Sequence, residues 1–294
     1  MSAQTSFFET MVLPILVPFA VCAIVLLAFG RSWRRSGAAS DGVAAGAIGL
    51  GAGYLACHVL VDGLPAFPPH ENWQWLIFLA ASAMVIAFVQ ALWRWPAFVR
   101  LIAAILLAGA GGWLLVRTNQ DHLWAHRTTV AAAMLLWFVA LEPIAGRARG
   151  ASLLLPLCCA FISVSLVLIL SGNAKLAQLA AGFAASLGAA TILVWRWPLL
   201  GLGRGKVIVA GVLLVGLLFS GYSLSFSTVP TWAYVVAAAA PLATWIGALP
   251  PLRNIKPWKS TAIVTATTIV VSGVAVVGAF IAWRAESMND ASYY

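Results

Sequence analysis

The chain has 294 residues, of which 63% are hydrophobic and only 9% are charged. About a quarter of the residues of a soluble domain are charged, so this composition excludes a water-soluble protein and suits a surface that faces lipid. The formal net charge of +9 does not indicate nucleic-acid binding, because the basic residues stand in ones, twos and threes between apolar runs.

The apolar runs have the length of membrane-spanning helices. A helix needs about 20 apolar residues to cross the hydrocarbon core of a bilayer, and continuous rather than alternating runs favour helices over the strands of a barrel. We therefore predict an all-α, polytopic transmembrane bundle, a single integral membrane domain over residues 1–294 that contacts the lipid bilayer. The ten predicted spans are residues 11–30, 43–62, 73–92, 97–116, 128–146, 151–171, 174–195, 207–226, 231–249 and 260–283.

The distribution of basic residues predicts how these spans are oriented. With the N-terminus outside, 13 of the 17 lysines and arginines fall in cytoplasmic connections, in agreement with the positive-inside rule. No basic residue precedes the first span, and Arg31, Arg34 and Arg35 follow it, so it is predicted to remain as a membrane span rather than be cleaved as a signal peptide. Both termini are then expected on the non-cytoplasmic side. Abundant alanine, tryptophan and arginine favour a bacterial inner membrane.

Two sequence echoes indicate an internal repeat. Residues 93–96 and 195–198 both read Trp-Arg-Trp-Pro, and the tryptophan and proline near the end of span five recur in span nine. Both echoes relate spans four apart, which predicts tandem parallel units over residues 43–146 and 151–250, an arrangement that occurs in transporters. The alternative is chance, because tryptophan, arginine and proline are all common at membrane interfaces.

The four cysteines do not predict a redox or zinc motif. Cys22, Cys57, Cys158 and Cys159 all fall inside apolar runs, and no two of them have the C-x-x-C spacing. We interpret them as small core residues.

Ionisable residues inside spans are candidates for function because they are costly in lipid. His58 and Asp62 lie four residues apart at the outer end of span two, and therefore on one face of the helix. They are either a titrating or ligand-binding pair that lines an outer vestibule or an interfacial pair that anchors the helix. Gln90 and Gln178 are the further candidates for a polar substrate path.

Histidines and carboxylates on the outer half suggest a divalent metal as a further hypothesis. Imidazole and carboxylate groups bind ions such as zinc, but the spacing of these residues matches no defined motif, and no other cofactor is expected. The candidate ligands are His58, Asp62, His70, His122 and His126.

A carboxylate near the inner end of span five has a structural interpretation. Glu142 precedes Pro143, and Arg147 follows close enough in sequence to neutralise it. We predict a structural ion pair between Glu142 and Arg147 rather than a proton relay.

The sequence offers no phosphate loop and no nucleophile with supporting context, so catalysis is not the favoured function. Ten spans, a repeat and no soluble domain favour a permease for a small neutral or weakly polar solute, although architecture alone does not fix function. Two alternatives stay open: a structural or assembly subunit of a membrane complex, and a membrane enzyme with a metal at the outer face. A homo-oligomer or other membrane partners are compatible with each.

Overall fold

The computed structural model describes residues 8–36, 39–93, 95–116, 122–147, 151–197, 205–225, 229–249 and 255–291. Throughout these ranges the regular structure is helical, and it forms ten α-helices in an order that follows the apolar runs of the sequence. The helices are α1 (Leu13–Ser36), α2 (Ala39–Asp62), α3 (Trp75–Trp93), α4 (Ala97–Leu115), α5 (Leu123–Arg147), α6 (Leu154–Leu170), α7 (Ala174–Arg196), α8 (Gly205–Ser223), α9 (Thr231–Ala239) and α10 (Pro257–Ala291).

Within the described residues, nine helical segments are long and apolar enough to cross a membrane. The tenth, α6, has 17 residues and measures about 26 Å at a rise of 1.5 Å per residue, somewhat less than the roughly 30 Å of a bilayer core. An all-helical, multi-pass membrane protein is therefore confirmed, whereas a count of ten spans stays a prediction.

Span nine differs from the other spans in its backbone. α9 ends at Ala239, and the chain continues as a 3₁₀ helix over Ala240–Ala248 that contains Pro241. Its predicted repeat partner, α5, stays α-helical through Pro143. The tandem repeat stays a prediction, and Arg94 and Pro198 of the Trp-Arg-Trp-Pro echo lie outside the described residues.

Long-range contacts define the two ends of the bundle. Asp62, the last residue of α2, contacts Gln74 just before α3 and Lys175 at the start of α7; we call this the aspartate end. At the opposite end, Arg100 in the first turn of α4 contacts Glu142 near the end of α5; we call this the arginine end.

The core of the bundle surrounds α8, of whose span 83% is buried. Glycines let neighbouring helices approach its backbone closely. A Cβ atom on Gly216 would lie 2.3 Å from the Leu76 side chain of α3, and one on Gly221 would lie 2.1 Å from the Leu168 side chain of α6. Because lipid provides little hydrophobic force between helices, such close contacts are a main source of stability.

Candidate functional site

The Asp62 carboxylate is held at the aspartate end by groups from two other parts of the chain. Its Oδ1 atom lies 2.7 Å from Nζ of Lys175, and its Oδ2 atom accepts a hydrogen bond of 2.9 Å from Nε2 of Gln74. The Asp62 side chain is 9% exposed, whereas that of Lys175 is 62% exposed. The acid is thus almost enclosed by the bundle, and its basic partner reaches it from the surface.

Two polar side chains lie deeper on the same face of α2. Tyr54, His58 and Asp62 follow one another at intervals of four residues, which places them on one helix face. Both Tyr54 and His58 are fully buried. The Tyr54 hydroxyl and both ring nitrogens of His58 form no hydrogen bond with any described residue. The main chain at Gly63 and at His58 itself and the Asp62 carboxylate interact with the His58 ring, but none of them meets the distance and angle of a hydrogen bond to its nitrogens.

Aromatic rings surround these polar atoms. The His58 ring centroid lies 5.6 Å from that of Trp73 and 6.1 Å from that of Tyr54. Tyr54 in turn contacts Phe183 of α7 edge to face, with ring centroids 6.3 Å apart. Trp73 is itself buried and donates its indole N–H to Glu71. The polar atoms therefore lie in an apolar, aromatic environment, where an unmade hydrogen bond costs most.

We call the residues Tyr54, His58, Asp62, Trp73, Gln74 and Lys175 the α2 site. Sequence analysis identified His58 and Asp62 and missed the other four residues. The spacing of Tyr54, one turn before His58, is a signal that the sequence carries. Lys175 is separated from Asp62 by 113 residues, and only the packing of α7 against α2 brings the two together.

Gln178, a predicted path residue, lies at a different contact. Pro14 and Pro18 of α1 have no N–H to donate to the carbonyls of Thr10 and Pro14, the acceptors four residues earlier. Nε2 of Gln178 donates to the Thr10 carbonyl at 2.9 Å. Its amide therefore binds the main chain just before α1 rather than the α2 site.

Cys57 binds the carbonyl of Pro14, which lacks a donor from Pro18. Its thiol donates to the carbonyl of Pro14 at 3.4 Å, and the side chain is fully buried. Ser186 of α7 adds a hydrogen bond of 3.3 Å to the carbonyl of Pro18. α1 is thus fixed to α2 and α7 by side chains that bind its main chain.

The remaining predicted site residues do not join the α2 site. Gln90 is half-buried one turn before the end of α3, at the arginine end. His70 and His122 are exposed, and the ring of His126 lies 6.3 Å from that of Phe219 on α8. Among the described residues no group of three histidines, cysteines or carboxylates could hold a metal ion. The described part of the chain therefore does not support the predicted metal site.

Glu142 pairs with a residue that the sequence analysis did not single out. Its Oε1 atom lies 2.6 Å from Nε of Arg100, with an alignment that makes this an ion pair rather than a hydrogen bond. The pair joins α4 to α5 at the arginine end. The predicted pair with Arg147 stays a prediction because the Arg147 side chain lies outside the described residues.

The fold and the α2 site define a class rather than a family: a multi-pass integral membrane protein with buried polar groups at one end of its helix bundle. No protein family and no curated protein matches this sequence.

Proposed function

We propose that the chain is a permease-type protein that binds a small, neutral or weakly polar solute at the α2 site. The observation that carries this proposal is a group of three buried polar atoms on Tyr54 and His58 that form no hydrogen bond within the described residues, directly below the ion pair of Asp62 and Lys175. A buried donor or acceptor without a partner costs about 1–3 kcal/mol. A solute that binds and is released would supply the missing hydrogen bonds.

The chemistry of the site favours a particular kind of solute. A neutral imidazole offers one donor and one acceptor, and a phenol offers both in one group. A solute with one or two hydroxyl, amide or carbonyl groups would satisfy these atoms, and its apolar part would lie against Trp73 and Phe183. A strongly charged solute would have no buried counter-charge at Tyr54.

The ion pair between Lys175 and Asp62 is suited to cover such a site. An ion pair with one exposed partner contributes only about 0–1 kcal/mol, so it opens at little cost. The exposed Lys175 side chain can leave Asp62 without unfolding a helix. In this proposal the aspartate end faces the non-cytoplasmic side of a bacterial inner membrane, and the structure represents a closed state.

A swelling assay tests this function. The purified chain is reconstituted in liposomes, and light scattering follows swelling in glycerol, urea, ribitol and sucrose. We expect faster swelling with at least one of the smaller solutes, loss of that effect in His58→Ala, and no loss in Lys259→Gln, a change at an exposed residue of the arginine end. Swelling at the rate of empty liposomes with all four solutes would contradict the proposal.

One observation favours the structural or assembly subunit as a second candidate. An apolar groove of about 640 Å³ runs along the outer surface of α10, lined by Trp232, Gly273, Gly278 and other small or aliphatic residues. A Cβ atom on Gly273 would meet nothing within 4 Å. A helix of a partner could lie there, since small residues allow close helix contact in lipid. Recovery of the same partner with wild-type chain after mild extraction, and its loss in Gly273→Phe, would support this candidate.

A further inference from the structure

The N-terminus of α8 is buried together with a lysine. Gly205, Lys206 and Val207 begin the helix, and all three residues are buried. Lys206 is 1% exposed and is among the largest fully buried side chains of the molecule. A charged side chain at such a position in a membrane protein is costly and marks a candidate functional site.

No neighbouring carboxylate offsets this lysine among the residues that the structure describes. Within them Lys206 has no ion pair and no hydrogen bond. Glu142, the only carboxylate with a described side chain at the arginine end, is paired with Arg100 instead. The amino group is therefore a buried cation without a counter-charge in the described part of the chain.

The helix itself adds to the positive potential. The first four amides of a helix have no acceptor within it, and the macrodipole places about half a positive charge at this end. No described residue accepts a main-chain hydrogen bond from the amides of Gly205, Lys206 or Val207. Side chains on a helix tilt toward its N-terminus, and Lys206 is the second residue of α8, so we expect its side chain to extend toward the start of the helix.

We infer that the N-terminus of α8 and Lys206 form a binding site for a phosphate group. A phosphate accepts hydrogen bonds from main-chain amides and pairs with a lysine, which makes a helix N-terminus a ready site for it. The group comes either from the headgroup of an anionic lipid or from a free phosphate in solution. The site is at the arginine end and is separate from the α2 site, so it goes beyond the proposed permease function.

Thermal unfolding of the purified full chain in maltoside micelles tests this inference. One titration adds inorganic phosphate, and the other adds a short-chain phosphatidylglycerol. We expect a saturable rise of the unfolding midpoint with at least one probe. Saturation by inorganic phosphate identifies a free phosphate as the ligand, and a rise with phosphatidylglycerol alone identifies a lipid headgroup.

Matched variants separate this site from general charge attraction. Lys206→Gln should weaken binding of the active probe by about tenfold or more, which corresponds to the loss of one buried charge-assisted contact. Lys206→Arg should retain binding, and Lys259→Gln, an exposed lysine at the same end, should bind like wild type. The inference is overturned if neither probe shifts wild type saturably, or if Lys259→Gln loses as much affinity as Lys206→Gln.

Discussion

Gln178 of α7 donates a hydrogen bond of 2.9 Å to the carbonyl of Thr10. Pro14, four residues after Thr10, has no N–H that could donate to this carbonyl. With the thiol of Cys57 on the carbonyl of Pro14, this contact explains how a helix with two prolines stays fixed to the bundle. In lipid no water replaces a missing partner for a main-chain group. The amide of Gln178 therefore helps to fix the start of α1 to α7.

Gln178→Leu should lower the stability of the protein without removing the α2 site. The change removes the hydrogen bond that Gln178 donates to the Thr10 carbonyl, and a lost hydrogen bond of this kind costs about 0.5–1.5 kcal/mol. Unfolding in detergent should show a lower midpoint, and proteolysis should cut more rapidly near residue 10. Gln90→Leu, a change at a half-buried glutamine of the arginine end, is the control. Equal midpoints for wild type and Gln178→Leu would contradict the structural role.

The close approach of α7 to α1 and α2 predicts a second effect. A Cβ atom on Gly182 would lie 2.2 Å from the Cys57 sulfur and 2.7 Å from the Pro14 carbonyl oxygen. Because one of these neighbours is main chain, Gly182→Ala should force α1 away from α7 and destabilise the fold by about 1–3 kcal/mol. Gly109→Ala is the matched control, since a Cβ atom there meets nothing within 4 Å. The thermal midpoint should fall for Gly182→Ala and hold or rise for Gly109→Ala; the same midpoint for both would count against this packing.

Arg100 and Glu142 allow a test of the arginine end. Their side chains are 22% and 36% exposed, so solvent screens the pair and its contribution should be about 0–1 kcal/mol. A double-mutant cycle of Arg100→Gln and Glu142→Gln measures the coupling. We expect a small stabilising value and no change of the swelling rates. A value of zero with Arg100, together with a clear value with Arg147, would contradict the pair of Arg100 with Glu142 and support the predicted pair of Glu142 with Arg147.

The sequence predicts the apolar spans well because length and hydropathy decide whether a segment can cross lipid. It also places His58 and Asp62 on one face, since four residues are close to one helical turn. Their partners are not local. Lys175 reaches Asp62 only because α7 packs against α2. The sequence shows Gln178 only as a polar residue within a span, and the structure shows that its amide binds the Thr10 carbonyl just before α1.

The position of a proline in the sequence also does not predict how the backbone of a span responds to it. Pro143 stands near the end of predicted span five and Pro241 near the middle of span nine, but α5 stays α-helical whereas the chain around Pro241 forms a 3₁₀ helix. A proline removes one donor in either case. Packing against neighbouring helices decides how the backbone responds, and sequence spacing does not carry that information.

In the proposed function, the α2 site opens to the non-cytoplasmic side when the ion pair of Asp62 and Lys175 breaks. This opening is tested by placing a cysteine at His58 in a variant with the four native cysteines replaced, in which Cys57→Ser keeps a donor for Pro14. Intact cells are treated with a membrane-impermeant thiol reagent. Ala66→Cys, at an exposed position of the connection from α2 to α3, is the control for access.

We expect His58→Cys to react slowly and Ala66→Cys to react rapidly. Adding Asp62→Asn should increase the reaction at His58→Cys by up to about fivefold, which corresponds to at most about 1 kcal/mol less closure. Lys175→Gln should act in the same direction. If His58→Cys stays unreactive with both Asp62→Asn and Lys175→Gln while Ala66→Cys reacts, the α2 site is closed to water. The proposed permease function is then contradicted.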